Sequence, residues 1–173
     1  SFLFSVGFTF FTQFFNVFLI ERYGFNQGDI GNVFGLFGLC MALTQGFIVR
    51  PVSKILKPAQ VLKISIFIQA CLLPLMLLAW KPSILYMIIP FISLFQGLSF
   101  VNMTALVSDE TGEESQGEGL GLNQSVQSMG QIFPPVIAGF IAAVNANLPI
   151  IIGSACLFLA WLSFVLLYRP SPK

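Results

Sequence analysis

Apolar residues fill this chain in six stretches, at about 1–20, 29–49, 59–80, 84–107, 117–144 and 149–168, parted by connections too short to fold alone. Each stretch is long enough, at about 1.5 Å per residue, to cross a hydrocarbon layer about 30 Å thick as an α-helix. The pattern predicts an all-α membrane protein: six transmembrane helices in one domain covering residues 1–173. Proline punctuates the prediction. Pro51 and Pro58 bracket the second connection, Pro82 sits in the third, Pro149 suits the first turn of the last helix, and Pro170 closes it. Asn26 with Asp29, and Ser115 with Glu118, have the three-residue spacing of helix N-terminal caps, and each places an acid at the positive end of the helix dipole.

Polar positions inside the stretches are few and unevenly shared. Gln13 and Asn16 lie one turn apart on the first helix, Gln96 and Asn102 on the fourth, and Asn123, Gln124, Gln127 and Gln131 on the fifth. Gln124, Gln127 and Gln131 follow spacings of three and four, which makes one stripe. Amides at lipid depth either bond helix to helix or line a path for a solute, and both readings stand. The sixth helix carries no amide or charge between Pro149 and Tyr168 and belongs at the lipid-facing edge. On the third, Gln69 sits mid-span without an assigned purpose. Small residues form rows of their own: Gly31 and Gly35, then Gly38, Ala42 and Gly46 on the second helix, and Gly117, Gly121 and Ser125, then Gly139 and Ala143, on the fifth. Such rows let helices approach closely, either for fixed packing or as surfaces that slide. Pro74, Pro90 and the pair Pro134 and Pro135 interrupt three spans, and the pair predicts a kink in the fifth.

Composition makes the solvent certain, because 56% hydrophobic and 9% charged residues exceed what one water-soluble core of 173 residues could hide. Twenty Phe are spread through every stretch rather than confined to one helical face. Histidine is absent, and Cys40, Cys71 and Cys156 stand alone in apolar runs without metal-ligand or redox spacing. With no acidic pair inside a span and no nucleophile beside a base, an enzyme is not expected, nor is a metal or other cofactor.

Charge then sets orientation. Arg50, Lys54, Lys57 and Lys63 flank the second connection and Arg169 and Lys173 follow the sixth helix, whereas the opposite side holds only Arg22 and Lys81. Basic segments stay on the cytoplasmic side, so both ends of the segment are expected there, with Tyr23, Trp80 and Tyr86 at the outer interface and Tyr168 at the inner one. Asp109, Glu110, Glu113 and Glu114 in the fourth connection share that inner face. Acidic and basic loops could therefore pair as a gate, or remain two solvated loops whose attraction is screened.

In order and in motif the chain resembles the C-terminal half of a major facilitator superfamily transporter, particularly the drug:proton antiporter branch that includes tetracycline efflux proteins. The most specific stretch is Gln116 to Gly139, QGEGLGLNQSVQSMGQIFPPVIAG, which is similar to the family's entry into its eleventh helix, with Pro134 and Pro135 where a Gly-Pro kink is usual. A second, degenerate match is Gln45 to Pro58, QGFIVRPVSKILKP: Gly46 is kept, but Lys54 stands at the acidic position and Lys57 at the glycine position.

The resemblance implies alternating access between two six-helix halves. Gln13, Asn16, Gln96, Asn102, Gln124 and Gln127 would then be candidates for the path of a small organic solute. Gly46, Arg50 and Lys54, facing Asp109, Glu110 or Glu118, would be candidates for a cytoplasmic gate of reversed polarity. It further implies that the first, second, fourth and fifth helices stand nearest the cavity, and that the partners are the bilayer, a small-molecule substrate and an N-terminal six-helix half or a second copy, with no nucleic acid. The expected setting is a bacterial inner membrane, the expected activity antiport and efflux, and the start within an apolar run suggests that six helices are half the count. The alternative is a six-helix module for binding or assembly that transports nothing.

Overall fold

The computed structural model describes residues 1–112, 115–145 and 147–168, and within them the only regular structure is helical. Glu113, Glu114, Arg169, Pro170, Lys173 and the Ala143 side chain, all used in the sequence reading, lie outside what is described. The elements are α1 (Phe2–Tyr23), α2 (Gln27–Leu43), a π-helical turn (Thr44–Ile48), α3 (Val49–Ile55), α4 (Pro58–Leu77), α5 (Pro82–Glu110), α6 (Gln116–Val144) and α7 (Leu148–Leu167).

Local chemistry explains most of the ends. Asn26 caps α2 through a full box: its Oδ1 accepts from the Asp29 N–H at 3.0 Å, and Asp29 Oδ2 accepts from the Asn26 N–H at 3.1 Å. Gly24, at φ 66°, ends α1 in the left-handed conformation that costs glycine least. Pro58, Pro82 and Pro149 all fall in first turns, where the missing N–H is no loss.

Two expectations need correction. The second helix does not stop before Pro51; after the π turn it continues as α3 to Ile55, so the second connection shrinks to Leu56 and Lys57. Pro51 is third in α3, early enough after the change of hydrogen-bonding pattern for its missing donor to be tolerated. Ser115 precedes α6 without a side-chain cap, its backbone at φ −112°, ψ 4° rather than in the extended form that turns a hydroxyl back onto the helix.

The helices close into a ring: α5 packs on α4, α4 on α7, α7 on α1, α1 on α6, and α6 returns to α5, with α2 laid along α5. The ring's interior is apolar, filled by Phe11, Phe15, Phe18 and Leu19 of α1, Leu73 and Met76 of α4, Leu85 and Ile89 of α5 and Ile150 and Leu157 of α7, all buried. In lipid, apolar burial does little to draw helices together, so close backbone approach matters more. It occurs where α1 crosses α7: a β-carbon on Gly7 would stand 2.7 Å from the Gly153 carbonyl oxygen, and one on Gly153 would stand 2.8 Å from that of Gly7. Gly130 of α6 meets α1 as tightly, with the Phe2 carbonyl oxygen 2.9 Å from where its β-carbon would be.

The small-residue rows named from sequence do something else. Among the described residues, nothing approaches a would-be β-carbon of Gly31, Gly35, Gly38, Gly46, Gly117, Gly121 or Gly139 within 4 Å. Among the described residues, the glycines of these rows are not used in close packing within this bundle. They lie on α2 and α6, which also hold exposed Leu39, Leu43, Leu122, Met129, Val136 and Phe140.

Helix parity sorts the connections onto two faces. At one, Arg22 Nη2 donates to the Leu77 carbonyl at 3.0 Å and Tyr23 Oη to the Ala79 carbonyl at 2.7 Å, joining the end of α1 to the end of α4. At the other, Tyr168 Oη donates to Glu110 Oε1 at 2.7 Å, joining the ends of α7 and α5. Five spans, Phe2–Tyr23, Gln27–Ile55, Pro58–Leu77, Pro82–Glu110 and Leu148–Leu167, are long and apolar enough to cross a membrane. α6 has the length, 29 residues or about 43 Å. Its amides and Glu118 lower its apolarity.

Candidate functional site

Three of the amides, Gln96, Gln127 and Gln131, meet at one place. Between α1, α2, α5 and α6 lies a cavity of about 160 Å³ whose apolar lining is Phe4, Phe8, Met41 and Phe100 and whose polar lining is Ser5, Thr9, Gln96, Gln127 and Gln131. On α1, positions 5, 9, 13 and 16 share a helical face by their spacings of four, four and three. Gln13 and Asn16, both exposed, therefore extend the Ser5 and Thr9 stripe beyond the cavity toward the far end of the helix. On α6, Gln127 is buried and its Nε2 lies 3.8 Å from Met103 Sδ of α5, while Gln124 and Gln131 are exposed on either side of it along the stripe.

Gln96 is 2% exposed and receives a hydrogen bond from Gln69 Nε2 of α4 onto its Oε1 at 2.8 Å. That pairing gives Gln69 the purpose the sequence left open. Asn102 is not at the cavity: it is buried, and its Nδ2 donates to the Leu98 carbonyl one turn back at 2.8 Å. Ser5 and Thr9 were missed from the sequence because hydroxyls are common in membrane helices, where they usually bond their own backbone. The one signal that could have found them is their register with Gln13 and Asn16.

A larger hollow of about 440 Å³ opens between the start of α1 and helices α4, α5 and α7, but its lining is mostly aliphatic and aromatic, including Leu62, Ile66, Leu106 and Phe164. It lacks the convergent amides that would orient a polar solute.

The gate candidates lie at one end of the bundle. Arg50 and Lys54 are exposed on α3, Asp109 and Glu110 are exposed at the C-terminus of α5, and Glu118 is exposed in the first turn of α6. Gly46 lies within the π turn. Glu110 is engaged by Tyr168. The Tyr168 phenol, just past the end of α7, is pushed up to about 12, first by its partial burial, then by the Glu110 hydrogen bond and charge, and last by the charge of Asp109. Pro134 is buried and Pro135 exposed, and α6 runs through both.

A bundle of membrane-length helices in antiparallel order, with a cavity between the first, second, fourth and fifth spans that takes its amides from the fourth and fifth, has the build of a multi-pass membrane transporter domain. The sequence model of the Major Facilitator Superfamily matches residues 1–173, and the chain belongs to that superfamily, whose members are transporters. No match is found among curated proteins or among solved structures.

Proposed function

We propose that this chain forms one wall of a secondary transporter that moves a small organic solute by alternating access. The observation that carries the proposal is the cavity where Gln96, Gln127 and Gln131 meet Ser5 and Thr9. Amides at lipid depth are costly unless something meets them, and only part of this set finds a protein partner. The open glycine rows on α2 and α6 support a second body against that side, either an N-terminal six-helix half or a second copy. Efflux by proton antiport in a bacterial inner membrane is the proposed physiology, on the strength of the Gln116 to Gly139 motif. Arg50, Lys54, Lys57 and Lys63 at one end support placing that end in the cytoplasm. Among the described residues, no acidic or basic side chain lines the cavity, so a coupling proton would be handled by groups outside it.

The test is Gln127→Leu, alone and with Gln124→Leu, in the full transporter reconstituted in liposomes. Loss of solute flux with helicity and thermal midpoint retained is the expected result. Unchanged flux, or loss of folding in place of flux, would leave the amides as interhelical bonds and favour a non-transporting module.

A further inference from the structure

Gln69 lies on α4, behind the cavity rather than on it, and is 1% exposed. Its Nε2 donates to Gln96 Oε1 at 2.8 Å. That contact occupies the acceptor end of the Gln96 amide and leaves its two N–H groups to point elsewhere. Among the described residues, the enclosed side-chain atoms left without a partner are Gln69 Oε1 and Ser99 Oγ. Gln96 Nε2 is not one of them, so it keeps an opening, and the space that Gln96 lines is the cavity.

We propose that Gln69 is a positioning residue that fixes the direction of the Gln96 amide, so that the wall offers a hydrogen-bond donor there and selects neutral solutes carrying an acceptor such as a carbonyl or tertiary amide. Neutrality follows from a lining without a charged side chain. The donor is Gln96 Nε2; Gln127, whose Nε2 is turned toward Met103, leaves its carbonyl oxygen as the complementary acceptor nearby. A buried amide left free to turn would present either end, and discrimination would fall, because specificity in such a site comes from leaving the wrong solute's polar group unpaired. The proposal deepens the transporter reading and rests on it only for the solute's journey; the direction of the amide is a property of the resting wall.

The experiment uses the full chain in lipid nanodiscs, labelled with ¹⁵N-glutamine and read by side-chain NH₂ resonances, with the Gln96 and Gln69 pairs assigned from their loss in Gln96→Leu and Gln69→Met. The Gln96 pair should exchange with D₂O at least tenfold faster than the Gln69 pair. It should also shift saturably with N,N-dimethylacetamide, a neutral probe that accepts but cannot donate. Gln69→Met, close in volume but without the donor, should weaken that titration at least tenfold while the thermal midpoint holds. Equal protection of the two amides, no saturable shift, or wild-type titration in Gln69→Met would each overturn the proposal. Should Gln69→Met not fold, Gln69→Leu, which likewise lacks the donor, takes its place for both the assignment and the titration. Absence of solute flux in liposomes with these amide results intact would instead sink the transporter reading and leave the amide direction standing.

Discussion

Gly7→Ala is a one-methyl change whose cost can be worked from the crossing of α1 and α7. The new carbon would lie 2.7 Å from the Gly153 carbonyl oxygen, 3.0 Å from Leu157 Cγ and 3.1 Å from the Leu157 backbone nitrogen. Two of these three atoms are backbone and cannot rotate away, so the helices must separate or slide. Overpacking of this kind costs about 1–3 kcal/mol. The better helix propensity of alanine returns about 0.5–1 kcal/mol, so the net runs from roughly 0 to 2.5 kcal/mol and centres on a loss of about 1 kcal/mol. Gly153→Ala should behave alike, since its methyl would meet the Gly7 carbonyl oxygen at 2.8 Å. The double variant should lose less than the two singles summed, because helices already pushed apart accommodate the second methyl cheaply. Gly35→Ala supplies the control: no described residue lies within 4 Å of the new carbon, so only the propensity gain remains and the bundle should be unchanged or slightly stabilised. Thermal and denaturant unfolding in detergent micelles, followed by circular dichroism, measures all four. The reasoning fails if Gly7→Ala unfolds at the wild-type midpoint, or if Gly35→Ala loses as much as Gly7→Ala.

Three further outcomes are expected. Asn26→Ala removes the acceptor half of the cap on α2 and should cost about 0.5–2 kcal/mol in the same unfolding assay, with fraying of the first turn of α2 seen by hydrogen exchange. Tyr168→Phe, which deletes the bond to Glu110, should cost about 0.5–1 kcal/mol, since the pair is partly solvated. The Tyr168 phenol is raised from its ordinary 10 to about 12, so the stability it lends is whole below pH 10 and lost as pH climbs through about 12, and a phenolate absorbance step near 12 should vanish in Tyr168→Phe. Lys54→Glu should impair flux in the full transporter, with Lys introduced at Asp109, Glu110 or Glu118 restoring it; failure of every such pairing would remove the gate.

The helix count and most boundaries were readable because a bilayer forces a long apolar run for each crossing, and because Asn26, Asp29 and the first-turn prolines act through contacts only a few residues away. Pro51 misled for the complementary reason: a proline ends a helix unless the hydrogen-bonding pattern has just changed, and the π turn at Thr44–Ile48 leaves no separate mark in TQGFI. The amide stripe of α6 was legible from spacing, and its neighbours Gln96 and Gln131 do share a cavity with Gln127. What spacing could not show is which partner each amide has. Gln69 and Gln96 are 27 positions apart and meet only because α4 and α5 run antiparallel, while Asn102, on the same helix as Gln96, turns back on Leu98. The glycines misled in a similar way. Regular rows drew attention on α2 and α6, whereas the isolated Gly7 and Gly153, which no motif marks, bring the backbones of α1 and α7 close together.

The π turn also makes the bearing of α3 a matter of counting. A π-helical turn holds one residue more than the α-turn it replaces, which displaces everything beyond it by about 100° around the helix axis relative to an uninterrupted α-helix. Gly46, inside the turn, is already partly out of line with Gly38 and Ala42 despite the four-residue spacing, and Arg50 and Lys54, beyond it, aim where that extra residue sends them. Deleting any one residue of Thr44–Ile48 would restore an ordinary helix and swing both bases to a different side of the rod, with every charge kept and none in its place.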